Sequence, residues 1–218
     1  MPTNKRIFTV AIVGLAVLGG GGAWFVVRQH SSPESHLKRA DEYFAQGQFD
    51  EARLEYHNVL KKGGANPRAI QKIGETWSKQ GVHVAALGYL SKAVELMPDD
   101  LELRMKVADA SFALGQFGEV NKVTRAILDR NPAHKKAIAL LAETSFGEQL
   151  EEVEERLSKL EPTKSVHYHL ASGMVARRRG DIPSFKAALD KALELGPEVV
   201  EAHSLQAVYC ALSEDKEG

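Results

Sequence analysis

Few residues in this sequence stand where side-chain chemistry would need them. Eight histidines are scattered along 218 residues. His167 and His169 are two apart, so on a helix they point in different directions and miss the i, i+4 spacing of a helical metal pair. His83 falls where a helix should begin and reads as a partly exposed packing residue. Cys210 is the single cysteine, which excludes an intrachain disulfide and any cysteine-rich metal or redox motif. His203 shares roughly its helix face but is seven residues away, about 10 Å along the axis and beyond hydrogen-bond reach. Gly63-Gly64 lies between helices without the lysine and hydroxyl of a phosphate loop, and Gly19–Gly22 belongs to an apolar run. No catalytic, cofactor-binding or metal-ligating residue is assigned, and an enzyme is not expected.

The composition hides a split between two kinds of chain. Overall the formal charge is -1, from 28 basic and 29 acidic residues, so nothing global favours nucleic acid. The first thirty residues hold no acid and three bases, Lys5, Arg6 and Arg28, which leaves the remainder at -4. Between Arg6 and Arg28 the run Ile7–Val27 is apolar or small. Its 21 residues would extend about 30 Å as a helix, roughly a bilayer core. The run stays bulky to its end at Trp24-Phe25-Val26-Val27, unlike a cleaved signal peptide with a small-x-small site. An uncleaved single-pass anchor is therefore expected. Lys5 and Arg6 put the short tail (1–6) in the cytoplasm and the rest outside it. Ala16 with Gly20, and Gly19 with Ala23, could form a close helix–helix face for self-association through the anchor.

Beyond a short linker (28–32) the chain repeats itself every 34 residues. Gly47, Gly81 and Gly115 keep that spacing, as do Ala40, Gly74, Ala108 and Ala142. Ala52, Ala86 and Val120 follow, and so do Val59, Ala93 and Ile127. Each unit reads as two amphipathic helices joined by a glycine-containing turn. In the second, Ile70, Ile73 and Trp77 share one face, Gln80-Gly81 breaks the pattern, and Ala86, Leu90 and Ala93 resume it. Asn66-Pro67 and Asn131-Pro132 read as an N-cap followed by proline at the first helical position. Small residues at the recurring positions let the two helices of a unit approach, and stacking the next unit completes a core that one hairpin cannot bury alone.

Ala40 through Ala52, and Gly74 through Pro98 with its Trp77, Gly81, Ala86, Ala93 and Pro98, resemble the tetratricopeptide repeat. The resemblance covers about residues 33–212. It implies an all-α, right-handed superhelical solenoid of about five helix–turn–helix repeats plus a capping helix, here preceded by one transmembrane helix. The fourth unit departs, with about thirty positions, Glu154 in place of a packing alanine, and a second helix over Leu150–Leu160. The fifth, Val166–Pro197, regains the pattern except that Phe185 replaces a small residue. Glu198–Leu212 should act as a terminal cap, with 213–218 a polar tail.

The resemblance also implies a binding face. In the family the first helix of each unit lines the concave side, and its ninth position falls here on Asp41, Glu75, Asp109 and Glu143. Four acids at 34-residue spacing would favour a basic or amine-bearing partner segment. Phe44, Met105, Phe112 and Met174 could add apolar contacts, and Lys79, Arg177 and Arg178 complete the candidate partner-binding groove. The clamp by which some family members hold a terminal carboxylate is absent, because acids stand where its asparagines would be.

These readings combine into a non-catalytic, protein-binding scaffold held in a bacterial inner (cytoplasmic) membrane by Ile7–Val27, with its repeats periplasmic. It would organise an envelope assembly or secretion complex by binding proteins or peptide segments, without cofactor or nucleic acid. The alternatives are an accessory subunit of a membrane-bound enzyme complex and a cytoplasm-facing adaptor.

Overall fold

The computed structural model describes residues 32–160 and 165–214, which hold eleven α-helices and no strand. The chain divides into two compact units between Met97 and Pro98. The first holds α1 (Pro33–Ala45), α2 (Phe49–Gly63), α3 (Pro67–Lys79) and α4 (His83–Leu96). The second holds α5 (Leu101–Ala113), α6 (Phe117–Arg130), α7 (Lys135–Thr144), α8 (Gln149–Ser158), α9 (Val166–Arg178), α10 (Ile182–Leu195) and α11 (Val200–Glu214). Sequential helices pack as antiparallel hairpins, and each hairpin stacks on the next within its unit.

Local chemistry sets the helix starts. Ser32, Asn66, Asp100, Ser165 and Asp181 each accept a backbone N–H with a side-chain oxygen at the head of a helix. Pro33 and Pro67 follow two of these caps, where a missing donor loses nothing. Asn131-Pro132 behaves otherwise than expected. Asn131 closes α6, and α7 starts three residues later behind His134, whose Nδ1 accepts the Ala137 N–H at 3.3 Å. The helix ends at Gly47, Gly81, Gly115 and Gly180 use φ of 69–76°, a left-handed turn that a side chain would strain.

The recurring small residues lie where hairpins close. Ala40, Ala108 and Ala142 are fully buried, as are Ala52, Ala86 and Ala93 on the second helices. In the first unit Ala40, Ala52, Tyr56, Val59, Ala69 and Ile73 form one core, with Trp77 and Tyr89 packed against it. Arg53, 9% exposed, stacks 3.7 Å from the Trp77 ring centre and donates to Asp50 and Gln80, tying α2 to α3. Beside it His36, Arg39 and Glu55 form a charged cluster between α1 and α2. Hydrogen bonds from His36 and Arg39 outweigh burial there and hold the Glu55 carboxyl below its usual range.

The irregular fourth and fifth repeats are accommodated locally in the second unit. α8 is ten residues long and buries Leu150, Val153 and Leu157, while Leu160 falls beyond its end at Ser158. Glu154, out of place as a packing residue, pairs instead with Arg179 at 2.6 Å. Phe185 is fully buried against Gly173, where an added Cβ would meet its ring at an ordinary contact distance of 3.5 Å.

One expectation is corrected. No helix among the described residues is long and apolar enough to cross a membrane, and the segment 7–27 itself lies outside them. Every helix found has 10–15 residues, short of the roughly 20 a bilayer core requires. The described residues therefore form an all-α array of helical hairpins, and none of their helices is a transmembrane helix. The membrane-anchored bacterial type, the inner-membrane location and partnering through the membrane rested on that segment and are withdrawn with it.

The closeness of the hairpins generates a testable expectation. A Cβ on Gly74 would lie 2.8 Å from Cγ of Leu90 and 3.1 Å from its backbone nitrogen. In an open helix Gly→Ala would gain up to about 1 kcal/mol. Here the steric conflict should dominate, so Gly74→Ala should lower stability by about 1–3 kcal/mol in urea unfolding. Leu90→Ala should cost less in that background than in the parent chain, because the two changes share one space.

Candidate functional site

Every fourth or third residue of a helix returns to the same face. In the second unit this periodicity brings one face of each of four helices around a single cavity of about 400 Å³. From α5 come Met105, Asp109 and Phe112, and from α7 Lys136, Ala139, Leu140 and Glu143. α9 supplies His167, Leu170, Met174 and Arg177, and α11 supplies Glu201, Ser204, Leu205 and Val208. The floor is apolar and closed, with Met105, Leu170, Met174 and Leu205 buried, while Phe112 stands 38% exposed at the rim. Second helices α6, α8 and α10 contribute none of the lining.

Met105, Asp109, Phe112, Glu143, Met174 and Arg177 were all expected from sequence, and all six line this cavity. Arg178 sits beside it: its guanidinium lies 3.7 Å from the Phe146 ring centre and donates to the Glu143 carbonyl oxygen. Lys136, Leu140, His167, Glu201, Leu205 and Val208 were missed. Their signal was the same 34-residue spacing carried further, since Lys136, Leu170 and Ser204 form one ladder and Leu140, Met174 and Val208 another. The ladder of acids likewise continues from Glu143 to Arg177, where its sign reverses.

The remaining candidates belong to the first unit, and their side chains are engaged within it. Asp41 accepts the buried Tyr56 hydroxyl at 2.7 Å and pairs with Arg68 at 2.6 Å. Burial together with that bond to Asp41 raises the Tyr56 pKa far above its usual value. Glu75 accepts Lys72 at 2.7 Å and Gln71 at 2.8 Å. Lys72 in turn lies 4.4 Å from the centre of Phe44, which also packs edge-on against Phe49. Lys79 is exposed at the end of α3. A shallow, open depression runs along α1 beside Leu37, Asp41 and Ala45.

The charges of the cavity differ in kind. Among the described residues, the carboxylates of Asp109, Glu143 and Glu201 make no hydrogen bond or ion pair, nor does the ammonium of Lys136. Elsewhere on the unit acids are routinely paired, as Asp129 and Glu152 are with Arg156, and Glu155 with Lys159. The Nε of Arg177 is buried without a partner. Asp109 lines the cavity while remaining exposed to solvent. Desolvation raises its carboxyl pKa, Lys136 and Lys106 oppose the shift, and Glu102 and Glu201 add to it. Burial lowers the His167 pKa, with Lys135, Lys136 and His134 assisting and Glu201 opposing, so the ring is neutral at pH 7.

No group of three or more His, Cys, Asp or Glu among the described residues could hold a metal ion. Cys210 is exposed on α11, and His203 on the same helix bonds the Pro197 carbonyl at 2.7 Å instead.

Comparison with known proteins gives a consistent picture of the fold. No family model matches the chain. A Tetratricopeptide repeat protein 21 homolog of Caenorhabditis briggsae is 24% identical over 151 residues, which are 65% of this chain and 11% of that protein. The chain thus spans about a tenth of the length of such relatives. A tetratricopeptide repeat protein from Parabacteroides merdae superposes with a TM-score of 0.69 at 17% identity, over 81% of this chain and 72% of the other. YrrB, described as a TPR protein with an unusual peptide-binding site, superposes at 0.64 with 13% identity, over 85% and 97%. At these identities the likeness shows the fold, an all-α tetratricopeptide-like array. These likenesses are to repeat proteins, and no catalytic motif was read in the sequence.

The raised pKa of Asp109 has a consequence for stability. Its folded carboxyl binds a proton more tightly than the unfolded one. Ionisation therefore weakens the fold above the folded pKa, and the effect vanishes as pH falls below the unfolded value. Asp109→Asn, which breaks no intrachain hydrogen bond, should melt at a higher temperature than the parent at pH 7. Scanning calorimetry should show the two converging as pH approaches the ordinary carboxylate range.

Proposed function

We propose that this protein is a non-catalytic scaffold that binds a peptide segment of another protein in the concave cavity of its second unit. The observation that carries this reading is the cavity itself: an apolar floor surrounded by charged groups, of which Asp109, Glu143, Glu201 and Lys136 have no hydrogen-bond or ion-pair partner among the described residues. An apolar pocket with a few convergent polar groups is the usual form of a recognition site. Partial desolvation raises the Asp109 carboxyl pKa, so keeping it ionised there carries a stability cost. The superposition with a repeat protein whose peptide-binding site is part of its description points the same way.

Asp109, Glu143, Met105, Met174, Phe112 and Arg177 are the residues proposed to meet the partner. Asp41, Phe44 and Glu75 are proposed to act in the first unit only secondarily, since internal bonds already engage them.

Selection of random 16-residue peptides against the immobilised chain, followed by fluorescence anisotropy, tests the reading. Phe112→Asp and Val208→Asp should each weaken the selected peptides at least tenfold. Leu54→Asp, at a residue 63% exposed on α2, should leave them unchanged. Peptides indifferent to both cavity variants, or no selectable binder at all, would overturn the proposal.

A further inference from the structure

The cavity of the second unit offers a partner an apolar floor, and the charges around that floor restrict what can settle on it. Met105, Leu170, Met174 and Leu205 are buried in the floor. Methionine adapts its shape to aliphatic and aromatic groups alike. The volume of about 400 Å³ is at the lower end of the roughly 300–1,000 Å³ common for binding pockets, room for the side chains of a segment. Three carboxylates, Asp109, Glu143 and Glu201, and two cations, Lys136 and Arg177, line the same cavity. His167 adds no charge at pH 7, because burial disfavours its protonated form. The lining therefore carries one excess negative charge.

That excess is presented to solvent. Glu143 and Arg177 are half-buried and cancel, whereas Asp109, Glu201 and Lys136 are exposed. None of these three has a hydrogen-bond or ion-pair partner among the described residues, while acids elsewhere on the unit are paired, as Asp129 and Glu152 are with Arg156. We infer that the cavity takes a peptide segment with one bulky apolar side chain and a single lysine or arginine beside it. The apolar residue seats on the floor and supplies affinity, and the cation meets Asp109 or Glu201 and supplies selectivity. A neutral neighbour leaves the excess charge uncompensated, and an acidic one meets like charge. A second base gains little, because one cation already neutralises the excess and Lys136 repels the next. The occupant thus differs from the polybasic segment that a uniform acidic stripe would favour.

This inference rests on the peptide-binding reading above, and the test keeps the two apart. Fluorescein-labelled 12-residue peptides share a central leucine in an otherwise neutral sequence. A lysine, glutamine or glutamate is placed on each side of that leucine in turn, and a further peptide carries lysine on both sides. Anisotropy titration against the full chain in low salt should give the better lysine peptide a Kd about three- to fivefold below glutamine, with glutamate weakest. The second lysine should add less than about twofold, and 0.5 M salt should erase the differences. In Asp109→Asn/Glu201→Gln the excess becomes positive, and glutamate should overtake lysine. In Lys136→Gln the lysine preference should widen. Loss of folding, checked by circular dichroism, does not produce such opposite shifts. Equal binding of the lysine and glutamine peptides, a glutamate preference in the parent chain, a large gain from the second lysine or preferences untouched by the variants would overturn the single-cation occupant. Each would leave the peptide-binding reading standing, as would failure of these peptides where selected ones bind. Failure of selected and designed peptides alike would remove both.

Discussion

The whole array depends on how near two helices of a hairpin can come. Gly74 against Leu90 marks one close approach, with no room for even a methyl group, and fully buried alanines stand at the equivalent sites Ala40, Ala108 and Ala142. Close approach fixes which faces of a hairpin remain for its neighbours, and stacking then repeats that geometry at 34-residue intervals. The cavity of the second unit follows directly. α5, α7 and α9 offer corresponding faces because each packs against its own second helix, α11 completes the wall, and the second helices are excluded from the lining.

That common geometry leaves side chains free to differ. Asp41, Glu75, Asp109 and Glu143 occupy equivalent rungs yet do different physical work. Asp41 bonds a core tyrosine and an arginine of the next hairpin, and Glu75 is gripped by Lys72 and Gln71. Asp109 and Glu143 line a concave wall without such bonds. A carboxylate already bonded within the chain has little attraction left for a partner, since its hydration and its field are both compensated. Equivalent position in a repeat is therefore a poor guide to equivalent role.

The repeat architecture was legible because its cause is local. Glycines at the turns, small residues at the crossings and capping side chains such as Asn66 each leave a mark at a fixed offset. The site was legible where the same offsets were followed, which is why Met105, Phe112 and Met174 were anticipated. It was lost at Lys136, Leu140, His167 and Glu201, where the spacing was not followed through the shortened fourth repeat and beyond. In fact α8 absorbs the shortening, and the first helices keep their spacing through His167 and Glu201. Asn131-Pro132 misled for a related reason: a capping pair is a local signal, and three more residues precede α7. Internal pairing of Asp41 with Arg68 could not be read from spacing, because it depends on how adjacent hairpins turn their side chains. The apolar stretch 7–27 was read from composition alone, and the helices found are too short to share that reading.

One wall of the cavity is α11, held through Ala202, Leu205 and the edge-on contact of Tyr209 with Phe185. It pairs with no second helix among the described residues. The ends of helical arrays open more readily than their interiors, since fewer neighbours hold them. An occupant that touches Glu201, Leu205 and Val208 therefore bridges the least protected helix to α5, α7 and α9. Occupancy would slow amide hydrogen exchange along α11 as well as at the residues it contacts. A partner bound in the proposed site would then act as a further neighbour of α11.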